Sequence, residues 1–411
     1  APVELREIPW MEPADEVSLS SPLATGWGGE MIFGAKLPAE GARLRLKSPQ
    51  EETRDGLDTL LNRLQGREKD MEGQGGFPII ALCFIPFLAF GPMVLYALFA
   101  WWFDRFEKEP LWLAAVAFLW GSIPTVLLSL CAQVPTGLVI GAGLGQGAAG
   151  VISTIIVAPV TEELFKGLFV LLLFLIYRRE IDSLYDGFLY GSLVGFGFAA
   201  TENVIYFLGA ASQGGLAGMF GNFIARAILF GLNHAAFTAL TGLGFAAARL
   251  SRSLLVQIGA PILGLGGAIA FHALHNTVAT ITEATQSPLL CLLWLPVDWM
   301  GALLVFAIAI YGLFREQQWI RRYLREEVEA GVLPESIYRE TASFLGRITA
   351  RGGALLRGDL QGFRRLGRLH HLAAELAFRK HQRTALQEAR WEPEIERLRA
   401  ELRRWTQAPA G

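Results

Sequence analysis

Seven apolar blocks, at roughly 77–103, 111–133, 150–177, 184–207, 219–249, 255–281 and 289–314, leave this chain few choices of fold. Each is long enough to cross about 30 Å of hydrocarbon, and a backbone in lipid must pair its own N–H and C=O groups, so each block is expected to be a helix. Of 411 residues, 52% are hydrophobic and only 18% charged, against about 25% charged in ordinary soluble domains. The expected fold class is all-α: a polytopic membrane helix bundle of about seven transmembrane helices in the cell membrane. The expected division is a polar N-terminal extension at 1–76, a membrane domain at 77–315 and an amphipathic, cytoplasmic helical region at 316–411.

The flanking regions say less. Residues 1–76 are polar and punctuated by Gly and Pro, with one helical-looking stretch around 51–70 and a GQGG hinge at 73–76; they suggest no function. No signal-peptide pattern opens the chain, and Ala1 stands where an initiator Met would, as in a truncated or processed chain. The C-terminal region is rich in Arg, Glu, Leu and Ala, and its amphipathic stretch 362–389 has a basic face suited to anionic lipid. His370, His371 and His381 read there as surface residues rather than metal ligands. Cys83, Cys131 and Cys291 lie singly in apolar blocks, which points to buried small hydrophobes and to neither a disulfide framework nor a zinc cluster. A formal net charge of −2 gives no nucleic-acid footprint.

Loop charges orient the bundle. Arg105 and Lys108 follow the first block, Arg178 and Arg179 the third, Arg249 and Arg252 the fifth, and Arg315, Arg321, Arg322 and Arg325 the seventh. Loops at about 134–149, 208–218 and 282–288 contain no Lys or Arg. The positive-inside rule makes the basic loops cytoplasmic, with the N-terminus outside. Arg63, Arg67 and Lys69 run against that orientation, because they precede the first helix on its outer side.

Charged groups inside the blocks are costly, about 2.5–3.5 kcal/mol each at helix centre, and therefore mark function. The third block carries EELFK (162–166): Glu162 and Lys166 are four apart on one face, and Glu163 is three from Lys166. A helix starting at Pro159, with both acids at its N-terminus near water, is the alternative for that string alone. The fourth block carries Glu202 and Asn203, with Phe198 one turn before Glu202 and Tyr206 one turn after; its glycines suit close helix packing. In the fifth block, helical spacing puts Asn222, Arg226 and Asn233 on one stripe and His234, Thr238 and Thr241 on the next. The sixth carries His272, His275, Asn276 and Thr280 as one polar stripe, with His272 and Asn276 spaced to share one oxygen atom. Four helices thus bring ionisable groups to the middle or outer half of the bilayer, which predicts a shared polar cavity.

These strings resemble the PrsW family of bacterial intramembrane peptidases, within the grouping that includes CAAX prenyl endopeptidases and bacteriocin-immunity proteins. The resemblance covers about 77–315 and rests on DRFEKEP (104–110), EELFK (162–166), DGFLYG (186–191), GFGFAATEN (195–203), NHAAFT (233–238) and HALHN (272–276) in that order. It implies a glutamate-type endopeptidase without cofactor or metal. Glu162 would be the general base, Glu163 and Lys166 would set its ionisation, and His272 and Asn276 would hold the oxyanion. His234 and Glu202 would complete the site. CAAX enzymes carry FxxxH where this chain has FxxxE at Phe198 and Glu202. The implied substrate is a membrane-anchored protein cut near its extracytoplasmic boundary, with a transmembrane anti-sigma factor in envelope-stress signalling as the family's class. Two alternatives stand beside it. One is a zinc enzyme using ligands from Glu162, Glu202, His234 and His272, although no HExxH is present; the other is a non-catalytic scaffold or transport protein whose buried charges hold helices or pass ions.

Overall fold

The computed structural model describes residues 77–104, 108–343, 345–385, 387 and 389–407, and every regular element among them is helical. The N-terminal extension and residues 105–107 of the DRFEKEP string, Arg105 included, lie outside the described residues. Helix α1 spans Phe77–Phe103. Helix α2, Leu111–Leu144, widens into a π-helical turn at Gly121–Thr125, where Pro124 supplies no N–H to the regular ladder. A short α3, Gln146–Ile152, runs through a second π turn at Ser153–Val157 into α4, Ala158–Ile176. Pro159 therefore lies inside a continuing rod, and the alternative of a helix freshly started there does not hold.

Helix α5, Leu184–Phe223, opens on a capping box in which Ser183 and Asp186 satisfy each other's backbone N–H groups, and it breaks at Gly215 (φ 61°, ψ −151°). A π turn at Ile224–Leu229 and three non-helical residues then lead to α6, Asn233–Arg249. Helices α7 (Leu254–Thr285) and α8 (Pro288–Glu329) complete the membrane part. Four further helices follow: α9 (Glu335–Thr341), α10 (Gly346–Leu356), α11 (Leu360–Ala385) and α12 (Glu392–Gln407).

Among the described residues, five stretches are long and apolar enough to cross a membrane: Leu82–Phe103, Leu111–Leu144, Leu184–Arg249, Leu254–Thr285 and Leu292–Glu329. The count differs from seven for two physical reasons. Leu184–Arg249, at 66 residues, holds both the fourth and fifth expected blocks, and at 1.5 Å per residue it is far too long for a single crossing. Helix α4 is not among the five because it carries three charged residues, Glu162, Glu163 and Lys166, within an otherwise apolar run. Large apolar side chains such as Phe87, Leu138, Val139, Leu255 and Leu263 are exposed on the outside of the bundle, as lipid requires. The chain is a multi-pass membrane protein. Cys83 and Cys131 are on that exposed surface, not in the core expected for them, and the Cys291 side chain lies outside the description.

Helix α5 is the axis of the bundle, with every residue from 185 to 200 buried. Glycines let its neighbours approach to backbone contact. A Cβ placed on Gly195 would stand 2.3 Å from the His234 carbonyl oxygen of antiparallel α6, and one on Gly197 would stand 1.9 Å from the Phe118 carbonyl oxygen of α2. Below the bundle, α11 holds the basic end. Arg379 and Gln382 each donate to Asp182 at 3.1 Å, and Lys380 reaches Glu327 at 2.6 Å. His370 is 2% exposed against Glu340, and His381 stacks on Trp319 at 3.7 Å, so these two are packing residues rather than the expected surface ones.

Candidate active site

The EELFK turn lies mid-bundle, where α4 meets α6 and α7. Glu163 and Lys166 are wholly buried and Glu162 is 6% exposed. Helical spacing of three and four brings all three head groups to one face. The Lys166 ammonium lies 2.7 Å from Glu163 Oε1, 3.7 Å from Glu162 Oε2 and 3.2 Å from His234 Nδ1, and 3.9 Å above the Phe198 ring. Glu163 is fully engaged: Oε1 also meets His272 Nδ1 at 3.0 Å, and Oε2 accepts the Thr238 hydroxyl at 3.0 Å. Glu162 is half-engaged. One oxygen accepts the Gln133 amide at 3.2 Å, while Oε2 has no hydrogen-bond partner among the described residues and lies 3.8 Å from His272 Nε2. That separation is beyond a hydrogen bond.

A second layer surrounds this core. Glu202 meets His234 Nε2 at 2.8 Å and pairs with Arg226, whose Nε donates to Asn203 Oδ1 at 3.1 Å and whose guanidinium lies 3.6 Å over Tyr206. Phe237 stacks on His272 with ring centroids 5.3 Å apart, and the two histidine rings meet edge to face at 5.0 Å. Three carboxyl groups, Lys166 and Arg226 thus enclose two histidines.

Six of the expected site residues, Glu162, Glu163, Lys166, Glu202, His234 and His272, form this one connected cluster. Asn276 contacts a different element: its amide donates at 3.0 Å to the carbonyl of Thr154, in the π turn before α4. A π turn displaces carbonyls from the regular ladder, and Asn276 satisfies one of them. The single polar stripe expected on α7 therefore divides three ways, because His275 meets Asp298 Oδ2 at 2.6 Å, and Asn233 donates to the same oxygen at 3.1 Å. Asp298 was not singled out from sequence, although a lone acid in the apolar run LCLLWLPVDWMG was a signal for it. Of the two stripes expected on the fifth block, His234, Thr238 and Thr241 stay in register on α6, and the Asn222, Arg226 and Asn233 stripe fails. Arg226 sits in a π turn and Asn233 begins a new helix, so the break between them cancels the 3.6-residue register.

The remaining motifs meet elsewhere, at the basic end. Tyr190 of DGFLYG donates to Glu109 Oε2 of DRFEKEP at 2.5 Å, and Asp104 accepts the Glu109 backbone N–H at 3.1 Å. Burial pushes the Asp104 carboxyl up to about 7 and raises Glu109 well above its ordinary range.

Glu162, His234 and His272 each offer one ligand atom within 4.8 Å of the others. Each histidine also has one ring nitrogen on a carboxylate, His272 on Glu163 and His234 on Glu202, as metal-bound histidines do. In donor type and number the set fits a divalent ion such as zinc. Glu202, the fourth ligand considered, is outside it, and the Lys166 ammonium already contacts two of the same three side chains.

Residues 109–310 match the profile of a family described as PrsW family intramembrane metalloprotease. This helical core belongs to the PrsW family. Among curated relatives, Protease PrsW of Geobacillus kaustophilus (strain HTA426) is 30% identical over 148 residues, which is 36% of this chain and 59% of that protein. The chain thus spans about three-fifths of the length of the curated relative it matches. No solved structure matches the chain significantly. The PrsW match encloses every residue of the buried cluster, and it ends before the four C-terminal helices.

Proposed function

We propose that the chain is an intramembrane endopeptidase that hydrolyses a peptide bond of a membrane-anchored protein, with Glu162 as general base. The observation that carries this reading is the buried Glu162 Oε2, without a hydrogen-bond partner among the described residues and next to Lys166 and His272. In this reading Glu162 takes a proton from water, and the hydroxide oxygen bonds to the substrate carbonyl carbon. The C–N bond then breaks as Glu162 returns the proton to the leaving nitrogen. Lys166 offsets the carboxylate charge, and Glu163 orients both Lys166 and His272. His272, whose ring Glu163 positions at Nδ1, donates a hydrogen bond to the oxyanion and keeps its proton, with Asn276 as the second donor, so the oxyanion reforms the carbonyl as the C–N bond breaks. Glu202 and Arg226 hold the His234 ring. The family resemblance supports a finer substrate class, a transmembrane anti-sigma factor cut first on its extracytoplasmic side.

A second reading is favoured by the same three donors and by the family's printed description: Glu162, His234 and His272 hold a divalent metal. When bound, such an ion would supply Lewis-acid activation of water. The Lys166 ammonium among those donors is the reason we prefer the glutamate reading.

The test is reconstituted cleavage of a single-span substrate by purified full-length protein. Glu162→Gln should insert and fold normally yet lose about 10²–10⁴-fold in turnover, as removal of a general base does. Full activity of that variant would refute Glu162 as base. Activity lost to chelator and restored by zinc, with stoichiometric metal in the purified protein, would select the second reading. Absence of turnover from a folded wild type on every single-span substrate would favour the scaffold or transport alternative.

A further inference from the structure

The basic end of the bundle contains a cavity whose lining shares no residue with the EELFK cluster. It has a volume of about 430 Å³ and lies where α4 and α6 end and α7 begins, lined by Phe174, Arg178, Arg249, Arg252, Gln257 and Ile258 among others. Arg178 and Arg252 are exposed, and no carboxylate pairs with either among the described residues. Arg249 lies beneath them at 5% exposure, its Nε donating to the Arg178 carbonyl at 3.4 Å. Helix α7 starts at the same rim after Ser253, which gives it no side-chain cap, so the positive end of the helix adds to the three guanidinium groups. The other wall is apolar: Leu254 and Ile258 are 68% and 56% exposed, and Phe174 lies under the Arg178 guanidinium at 5.3 Å.

Cationic groups above and exposed aliphatic side chains alongside call for a ligand with an anionic head and an apolar body. A free phosphate satisfies only the first half. Basic pockets between transmembrane helices at this kind of boundary take anionic headgroups. We propose that this cavity binds the headgroup of an anionic phospholipid, with Arg178 and Arg252 on its phosphate and Phe174, Leu254 and Ile258 along its acyl chains. The proposal does not depend on the proteolytic reading, because none of these residues belongs to the buried cluster.

Full-length protein in nonionic detergent is titrated with dioleoyl phosphatidylglycerol or dioleoyl phosphatidylcholine, and bound lipid is counted by native mass spectrometry. An arginine near an anionic headgroup contributes on the order of fivefold. Arg252→Gln, at an exposed position that carries no fold, should weaken phosphatidylglycerol binding about fivefold, and Arg178→Gln/Arg252→Gln about 25-fold. Both should leave phosphatidylcholine binding unchanged, and Arg178→Lys/Arg252→Lys should retain most of the preference. Equal binding of the two lipids, or an unaltered affinity in the double Gln variant, would overturn the proposal. So would inorganic phosphate competing as tightly as phosphatidylglycerol, which would assign the cavity to a free anion.

Discussion

At the scale of single residues, one buried ammonium organises the centre of this protein. Lys166 meets both EELFK acids and His234 at 3.7 Å or less, and it leaves Glu162 with an oxygen that no described hydrogen bond uses. Asn276 has a double assignment, as the proposed oxyanion donor and as the partner of the Thr154 carbonyl. Asn276→Ala should lower turnover about 10²–10³-fold with little change in KM. Orphaning the Thr154 carbonyl should also cost about 1–3 kcal/mol of stability. Steady-state kinetics beside thermal unfolding separate the two effects, and a destabilised variant with normal turnover would leave Asn276 as a packing residue only. Asp298 has the complementary history: invisible as a partner in the sequence, it accepts from Asn233 and meets His275, and so ties α6, α7 and α8 together one residue from His234.

At the scale of elements, the glycines of α5 set how far its acids stand from α6. A Cβ on Gly195 would meet the His234 carbonyl at 2.3 Å, so Gly195→Val must push the helices apart and stretch the 2.8 Å contact between Glu202 and His234. Overpacking of this kind costs about 1–3 kcal/mol. The expected result is a lower Tm and lost turnover, whereas Gly214→Ala, with nothing within 4 Å of its added Cβ, should be silent. The C-terminal helices bring a pH dependence. Burial, with Arg315 and Arg322 nearby, pulls His381 down to about 4 from 6.5. Below about pH 6.5 the unfolded chain therefore takes up a proton that the folded chain refuses, so stability is full above that value and falls as pH drops toward 4. Unfolding of wild type and His381→Phe, measured at pH 5 and 7.5, should show a smaller loss at pH 5 in the variant. An equal loss would remove His381 as a contributor.

At the scale of the whole molecule, sidedness decides where a substrate could be cut. By the positive-inside rule Gln213 and Thr285, in loops without Lys or Arg, are expected outside, and both are exposed. With Cys83, Cys131 and Cys291 replaced, Gln213→Cys and Thr285→Cys should react with an impermeant thiol reagent on intact cells. Ile181, in an inner loop, is wholly buried and would be silent on either side, so the inner probe belongs at exposed Ser253. Labelling of Ser253→Cys alone would invert the topology and move the proposed cleavage to the cytoplasmic side.

The all-helical membrane class and the meeting of six of the seven candidate residues in one cluster were legible in the sequence, because lipid forbids unpaired backbone and makes intramembrane charges conspicuous. EELFK could be read locally, since spacings of three and four remain on one face of an unbroken helix. Partners across helices could not. Glu202 needed a counter-charge that the 3.6-residue register could not supply, because the π turn that carries Arg226 and the break before Asn233 abolish that register. Asn276 keeps its register with His272 on unbroken α7, yet its partner is a carbonyl presented by a widened turn 122 residues away. Periodicity holds only along regular helix. Which polar groups meet was decided by where helices widen, break and touch through glycine, and only the tertiary structure contains those distances.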